Sequence, residues 1–385
     1  MPDCEIAIVG AGPLGLSVAI ALARKHRRVR VYDARKAEQA HNDKRVLALS
    51  HGSRQLLSLL GAWPANGVTN IESIHISQRG ALGRTVMRHS DYKLPALGYV
   101  LPAKILMQAL SQRATALGIE IIFDAKVTAV HATEDSAALE FVDAQGLMGS
   151  ATAQLAACCE GAIADEDEVS EKAVQHDYNQ HALLCHATPC TPHKNIAYER
   201  FTSDGPIALL PLGTDYAVVW TVSPERLQSL QALDEAALLA ALQTAFGQRV
   251  QLRALTNRAS YPLGLRFRKR PVADRTVWLG NAAQTLHPVA GQGFNLALRD
   301  AWELAETLAT APDPGNANVL REYSRRRQAD RFGAIGFTDI LVRLFSTDNP
   351  VLTHTRGAGL LALDVVAPLR HFVAKRMLFG ARAWP

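Results

Sequence analysis

The sequence predicts a mixed α/β (α+β) fold: a parallel-sheet layer interwoven with a β-rich lobe and closed by C-terminal helices. Three observations predict it. A β-α-β unit opens the chain at residues 5–33, and residues 178–265 alternate short strands with turns. α/β character resumes at 276–310, ahead of a helical tail. The 385 residues are 48% hydrophobic, enough for two domains, or one with an inserted lobe, without a disulfide or metal staple. That apolar content excludes disorder, and a net charge of +5 is too weak to argue for nucleic acid.

EIAIV (5–9) is an apolar run ending in glycine, Pro13 to Lys25 has helical spacing, and Val29 to Asp33 is a second strand. Residues 100–117 predict a helix with Gly118 as its C-cap. Strands follow at 119–123, 126–130 and 137–142. The acidic, aperiodic ADEDEVSEKAVQHD (164–177) predicts a crossing loop. IALLPL and YAVVWTV flank a turn at Gly213-Thr214-Asp215, and one helix near 234–246 interrupts the lobe. A strand at 276–279 leads to a helix over 293–310, and 318–385 read as helices with a basic bias.

The first motif is GAGPLG, with Gly10, Gly12 and Gly15 in G-x-G-x-x-G spacing between a strand and a helix. The first glycine permits the tight turn, the second lets backbone approach a pyrophosphate, and the third lets helix pack on strand. The helix start offers unpaired N–H groups and a partial positive charge, worth ~0.3–1 kcal/mol to an anion. Asp33 lies at the end of the second strand, where a carboxylate accepts ribose hydroxyls. These features make the layer Rossmann-like and predict a dinucleotide, leaving NAD and FAD both open.

The second motif is WLGNAAQTLHPVAGQGFNLALRD (278–300). Gly291 and Gly293 permit a close approach of backbone to a flat ring. The following helix start directs the N–H groups of Phe294 and Asn295 at whatever lies above the loop. A reduced flavin carries negative charge at one edge, and a helix start stabilises such a charge. A nicotinamide dehydrogenase needs no such second site.

Here the chain resembles the aromatic hydroxylases of the p-hydroxybenzoate hydroxylase type, and is most similar to the ubiquinone-biosynthesis hydroxylases. Further segments agree: Arg45 in KRVLALS, AYERFTSDGPIALLPLG (197–213) and SYPLGL (260–265). Asn281, where most of the superfamily has Asp, resembles the 2-polyprenyl-6-methoxyphenol hydroxylase branch. The resemblance implies FAD held by Gly10, Gly12, Gly15, Asp33, Arg45, Asn281, Gly291, Gln292, Gly293, Phe294 and Asn295. It implies NAD(P)H as electron donor, and a polyprenylphenol and O2 as substrates, to the benzoquinol, through a C4a-hydroperoxyflavin. Pro288 and His287 are the catalytic candidates. An imidazole there either assists proton transfer or only orients the loop by hydrogen bonding.

By the same resemblance, the FAD-binding domain takes residues 1–70, 100–174 and 271–340. The substrate domain takes 71–99 and 175–270, and a helical region 341–385. One departure bears on the electron donor. The superfamily's Asp-Gly pair with following Ser and Arg stands here as Glu160-Gly161-Ala162-Ile163-Ala164, with an acidic run from Asp165 to Glu168. This opposes a pyridine-nucleotide phosphate and leaves FAD binding intact. Two alternatives are a flavin-binding oxidoreductase without oxygen insertion, and a non-catalytic assembly subunit of a quinone-biosynthesis complex working with other such proteins.

Five cysteines predict reduced thiols and a cytoplasmic protein. A strand starting at Glu5 leaves no room for a signal peptide, and Arg343, Asp364 and Arg370 break the longest apolar runs. Basic residues Arg370, Lys375, Arg376 and Arg382 interleave with Phe372, Val373, Met377, Leu378 and Phe379. With Arg321, Arg325, Arg326, Arg327 and Arg331 they predict peripheral contact with the inner face of the cytoplasmic membrane. His181, Cys185, His186, Cys190 and His193 invite a zinc reading. A strand there would send adjacent Cys and His to opposite faces, so no metal is predicted.

Overall fold

The computed structural model describes residues 2–39, 42–80, 83–160, 163, 173–345, 357, 359 and 361–381. Its elements, in order, are β1 (Cys4–Val9), α1 (Pro13–Ala23), β2 (Val29–Tyr32), β3 (Val46–Ser50), α2 (His51–Leu60), β4 (Thr69–Ile71), β5 (Ser73–Gln78), β6 (Arg84–Arg88), β7 (Gly98–Pro102), α3 (Ala103–Ala116), β8 (Glu120–Ile122), β9 (Lys126–Ala132), β10 (Ala137–Val142) and β11 (Met148–Cys158). There follow β12 (Val174–Pro189), β13 (Ile196–Phe201), β14 (Pro206–Leu212), β15 (Asp215–Val222), α4 (Pro224–Gln231), α5 (Glu235–Phe246), β16 (Leu252–Phe267), β17 (Val272–Ala273), β18 (Thr276–Trp278), β19 (Gln284–Thr285), α6 (Gln292–Leu308), α7 (Ala317–Phe345) and α8 (Ala367–Phe379).

One sheet runs β17-β18-β11-β1-β2-β8, and its pairings from β18 to β8 are parallel. The β9–β10 pair is added through β10, antiparallel to β11. α1 buries every residue from Pro13 to Leu22. A helix apolar on all sides belongs inside a layer, and α1 lies in one core cluster with α3 and α6. A second sheet runs β19-β16-β12-β15-β14-β13-β5-β6, and a small third one runs β3-β7-β4.

Two expectations need correction, and two elements were unforeseen. Residues 98–102 are a strand, because Pro102 restricts the preceding residue to extended backbone and Val100 pairs with Ala48 of β3. The helix therefore starts at Ala103. Residues 174–177 extend β12 and pair with β16, while 164–172 lie outside the described residues. The central strand β11 and the helix α4 were not anticipated. β11 is rich in alanine, a weak strand former, and shows no clean alternation. α4 carries Ser223 as N-cap and Pro224 at its first turn, a start signal present in the sequence.

Candidate active site

The order of strands in the sheet brings the two glycine motifs together. β1 and β18 flank β11 in the same parallel sheet, so the turns that leave them emerge at one edge. Gly280 has φ +57°, and a Cβ there would lie 2.3 Å from Leu14 Cδ2, so the second turn presses directly on the first helix. Six residues after Trp278, β19 joins the edge of the second sheet by pairing with β16. The loop 286–291 therefore bridges the two sheets, and α6 starts from the bridge.

The glycines divide by what surrounds them. A Cβ on Gly10 would meet Glu160 Cβ at 2.9 Å, and one on Gly15 would overlap the Gly10 carbonyl at 1.8 Å. Gly12 and Gly293 face open space, with nothing within 4 Å of a Cβ position. Gly12 is the N-cap of α1 and Gly291 that of α6, and neither helix start has a side-chain cap. Two uncapped helix starts, each beside a glycine that keeps space open, suit a pyrophosphate at one and an anionic ring edge at the other. The residues present fit FAD.

Asp33 is buried, and its carboxylate is fully engaged. Oδ2 accepts the Ala11 N–H at 2.6 Å and the Arg35 guanidinium at 2.8 Å, and Oδ1 accepts the Arg35 N–H and Nε. Burial pushes this carboxyl up, and the hydrogen bonds from Arg35 and Ala11 outweigh it and hold it below the usual range. A ribose hydroxyl at Asp33 would compete with the Arg35 side chain. Arg45 is largely exposed and pairs with Asp43. Asn281 is exposed in its short turn, and Phe294 is half-buried against the core of the first layer. Gly161, Ala162 and the acidic run 165–168 lie outside the described residues.

A cavity of about 590 Å³ lies between the bridging loop and the second sheet. Pro288, Gly291, Gln292 and Asn295 form one wall. Ile74, Ile76, Ala197, Ala208, Leu210 and Val219 form an apolar floor across β5, β13, β14 and β15. Phe337 and Leu341 of α7 and Val373 and Met377 of α8 close it. Glu199 on β13 stands in this floor, and sequence reading did not single it out.

His287 does not line the cavity. It is 1% exposed, and its Nδ1 accepts the Val289 N–H at 3.1 Å. The proton of the neutral ring then sits on Nε2, which is buried without a partner. Burial lowers its pKa to about 4, so the ring is neutral at pH 7. His181, Cys185 and His186 lie on β12, with Cys185 buried and His186 pairing toward Asn257. Among the described residues no three His, Cys, Asp or Glu side chains group as metal ligands.

The sequence-level arginine stretch is also corrected. Arg327 and Arg331 are buried, binding Asp300, Asp330 and Gln284 inside the α6–α7 contact. Arg325 and Arg326 pair with Glu322 on the same helix. Of the five apolar residues expected at a membrane, Phe372 is 67% exposed, Val373, Met377 and Leu378 line the cavity, and Phe379 is buried. Arg382 lies outside the described residues.

The comparisons agree with this geometry. The family described as FAD binding domain matches residues 3–333. Ubiquinone hydroxylase UbiL of Rhodospirillum rubrum is 30% identical, over 99% of this chain and 91% of its own. The 3-demethoxyubiquinol 3-hydroxylase of Escherichia coli is 30% identical, over 97% of this chain and 98% of its own. Among solved structures, p-nitrophenol 4-monooxygenase PnpA from Pseudomonas putida matches with a TM-score of 0.80. That match covers 99% of this chain and 100% of the other at 17% identity, a likeness of fold.

Proposed function

The chain belongs to the FAD binding domain family, and from that premise we propose that it hydroxylates the aromatic ring of a polyprenylated phenol in ubiquinone biosynthesis. The substrate is of the 2-polyprenyl-6-methoxyphenol class and the product a benzoquinol. The observation that carries this reading is the cavity. Its wall is the glycine-bearing loop suited to the flavin ring, and its floor is apolar sheet. A volume of about 590 Å³ suits a substituted phenol with part of a prenyl chain.

When bound, FAD supplies the redox chemistry that joins one oxygen atom of O2 to the ring, with electrons from NAD(P)H. The protein's own tasks are separable. Gly12 and the α1 start would hold the pyrophosphate, with Gly10 and Gly15 shaping the turn that presents them, and Asp33 would take the ribose in place of the Arg35 side chain. Asn281 reaches the cofactor from its exposed turn, and Arg45, at the entry to β3, meets the flavin side. Gly291, Gln292, Gly293 and the backbone of Phe294 and Asn295 face the ring and stabilise its negative charge when reduced. Pro288 shapes the cavity wall beside the reacting ring, and neutral His287 positions that loop through Val289. The apolar floor excludes water.

A row of exposed apolar side chains adjoins the cavity. Leu361 (55%), Val365 (73%), Leu369 (43%) and Phe372 (67%) lie on the outside, and Leu369 also lines the cavity. This row seats the protein on a membrane surface and admits a greasy substrate edgewise. No helix among the described residues is long and apolar enough to cross a membrane.

Two measurements test the reading. The purified protein should carry flavin, and a strain lacking it should accumulate a polyprenylphenol short of one ring oxygen. A colourless protein that refuses added FAD overturns it, as does normal ubiquinone in a strain without a redundant enzyme. The E. coli relative is named for position 3 of its ring. The position used here is read from the product by mass spectrometry and NMR.

A further inference from the structure

Glu199 is the one charged side chain among the described residues that line the cavity. Its place is dictated by strand alternation. On β13, Ala197, Glu199 and Phe201 line the cavity, while the Tyr198 ring packs on His75, Tyr216 and Phe246. Its cross-strand neighbours are apolar, Ile76 on β5 and Ala208 on β14. The helices and loop facing the floor add Phe337, Leu341, Val373, Met377 and Pro288, none of them titratable. Tyr198 is the only other titratable residue among the described residues of the lining. The Glu199 carboxylate has no hydrogen bond or ion pair to a described residue.

A carboxylate left unpartnered in an apolar cavity is costly, and a protein normally pairs it or neutralises it. Among the described residues no cation accompanies it, and a ligand group is suited to that place. The ligand expected in this cavity has one polar group suited to the task, a phenolic hydroxyl. We propose that Glu199 is a catalytic base that accepts the phenolic proton of the substrate bound in this cavity. The proposal rests on the hydroxylase reading given above. The phenolic O–H bond breaks, the proton passes to a Glu199 carboxylate oxygen, and the electron pair stays on the phenolic oxygen. Neither partner is oxidised or reduced. The electron-rich ring that results is the form that attacks an electrophilic oxygen. Before transfer, the same hydrogen bond fixes the ring's orientation in the cavity.

Burial raises the Glu199 carboxyl to about 7, so both protonation states are reached near neutral pH, as a general base requires. Neutral phenol should then bind best to the ionised carboxylate. The difference between a charge-assisted and a neutral hydrogen bond is about tenfold in affinity.

The test uses the FAD-loaded protein without an electron donor, with 2-geranylphenol and its methyl ether as probes, followed by calorimetry from pH 5.5 to 8.5. In the wild type the phenol should bind about tenfold tighter at the alkaline end, and the ether should show no such rise. Glu199→Gln keeps the shape of the side chain. It should flatten the phenol curve, leave ether affinity unchanged and retain flavin absorbance. Glu199→Asp should restore part of the pH dependence. With an electron donor, Glu199→Gln should lose roughly 10²- to 10⁴-fold in kcat. A Gln variant that keeps the pH-dependent preference for phenol over ether overturns the role of Glu199 and leaves the hydroxylase reading standing. Failure of the wild type to bind either probe overturns both.

Discussion

The Asn295 side chain locks the strand β3 to the start of α6. Its Oδ1 accepts the Ser50 N–H at 2.8 Å and the Ser53 hydroxyl at 2.6 Å. Its Nδ2 donates to the carbonyls of Ala48 at 3.0 Å and Gly291 at 2.6 Å. All four hydrogen-bonding positions of the amide are used, and the residue is 2% exposed. The side chain thus fixes the loop proposed to meet the flavin, and leaves no side-chain hydrogen-bonding position for a ligand. Asn295→Ala leaves the Ser50 N–H and the Gly291 carbonyl short of partners. It should cost about 2–4 kcal/mol, read by urea unfolding of the flavin-free protein. Wild-type stability in the variant contradicts the lock.

Gly12 and Gly15 separate binding from folding. Gly12 has φ −71°, which any residue adopts, and a Cβ there meets open space. Gly12→Ala should leave the melting temperature of the flavin-free protein unchanged and weaken FAD by tenfold or more, because the methyl occupies the pyrophosphate's place. Gly15→Ala drives a methyl into the Gly10 carbonyl and should destabilise the protein with or without FAD. Equal FAD affinity in wild type and Gly12→Ala would remove the pyrophosphate from the α1 start.

What the sequence revealed followed physical locality. GAGPLG and GQGFN are legible because each is a strand–turn–helix whose demands lie within a few residues. The α1 helix, the strand at 137–142 and the α6 helix are legible for the same reason. Arg327 and Arg325 sit two residues apart in one basic run, yet one is buried on Asp300 and the other exposed on Glu322. Helical rotation separates them, and only the partner helix α6 decides which side is inside. Glu199 was hidden likewise. Its neighbour Arg200 is outside the cavity lining, and Tyr198, though it borders the cavity, packs its ring on His75, Tyr216 and Phe246. The residues that make it unusual, Ile76 and Ala208, come from other strands. β11 was missed because its identity as a strand rests on β1 and β18 on either side rather than on its own alanines.

His287 makes a claim about pH. Its folded pKa, about 4, lies below the unfolded value near 6.5. Between those values the unfolded chain binds the extra proton, so this residue's contribution to stability is present above 6.5 and is lost as pH falls toward 4. His287→Asn keeps an acceptor for the Val289 N–H, since Asn bonds backbone two residues on. The variant should unfold less readily than wild type on acidification, and match it at pH 8. As a positioning residue, His287 should leave the pH profile of hydroxylation unchanged when replaced by Asn. A lost ionisation near neutral pH in that profile would make it an acid or base instead.

The proposed membrane surface rests on apolar side chains rather than on net charge. Val365 and Phe372 are 73% and 67% exposed, and a solvent-facing cluster of this kind is costly without a partner. Each such side chain transferred to a lipid interface contributes about 1.5–3 kcal/mol, so removing two should weaken binding more than tenfold. The double variant Val365→Ser and Phe372→Ser should lose co-sedimentation with phosphatidylglycerol-containing vesicles. It should bind 2-geranylphenol in detergent as the wild type does, because neither residue lines the cavity. Raising salt should release the wild type only partly, since apolar contact is unscreened. Vesicle binding that survives the double substitution and disappears in salt would transfer the attachment to the basic side chains Lys375 and Arg376.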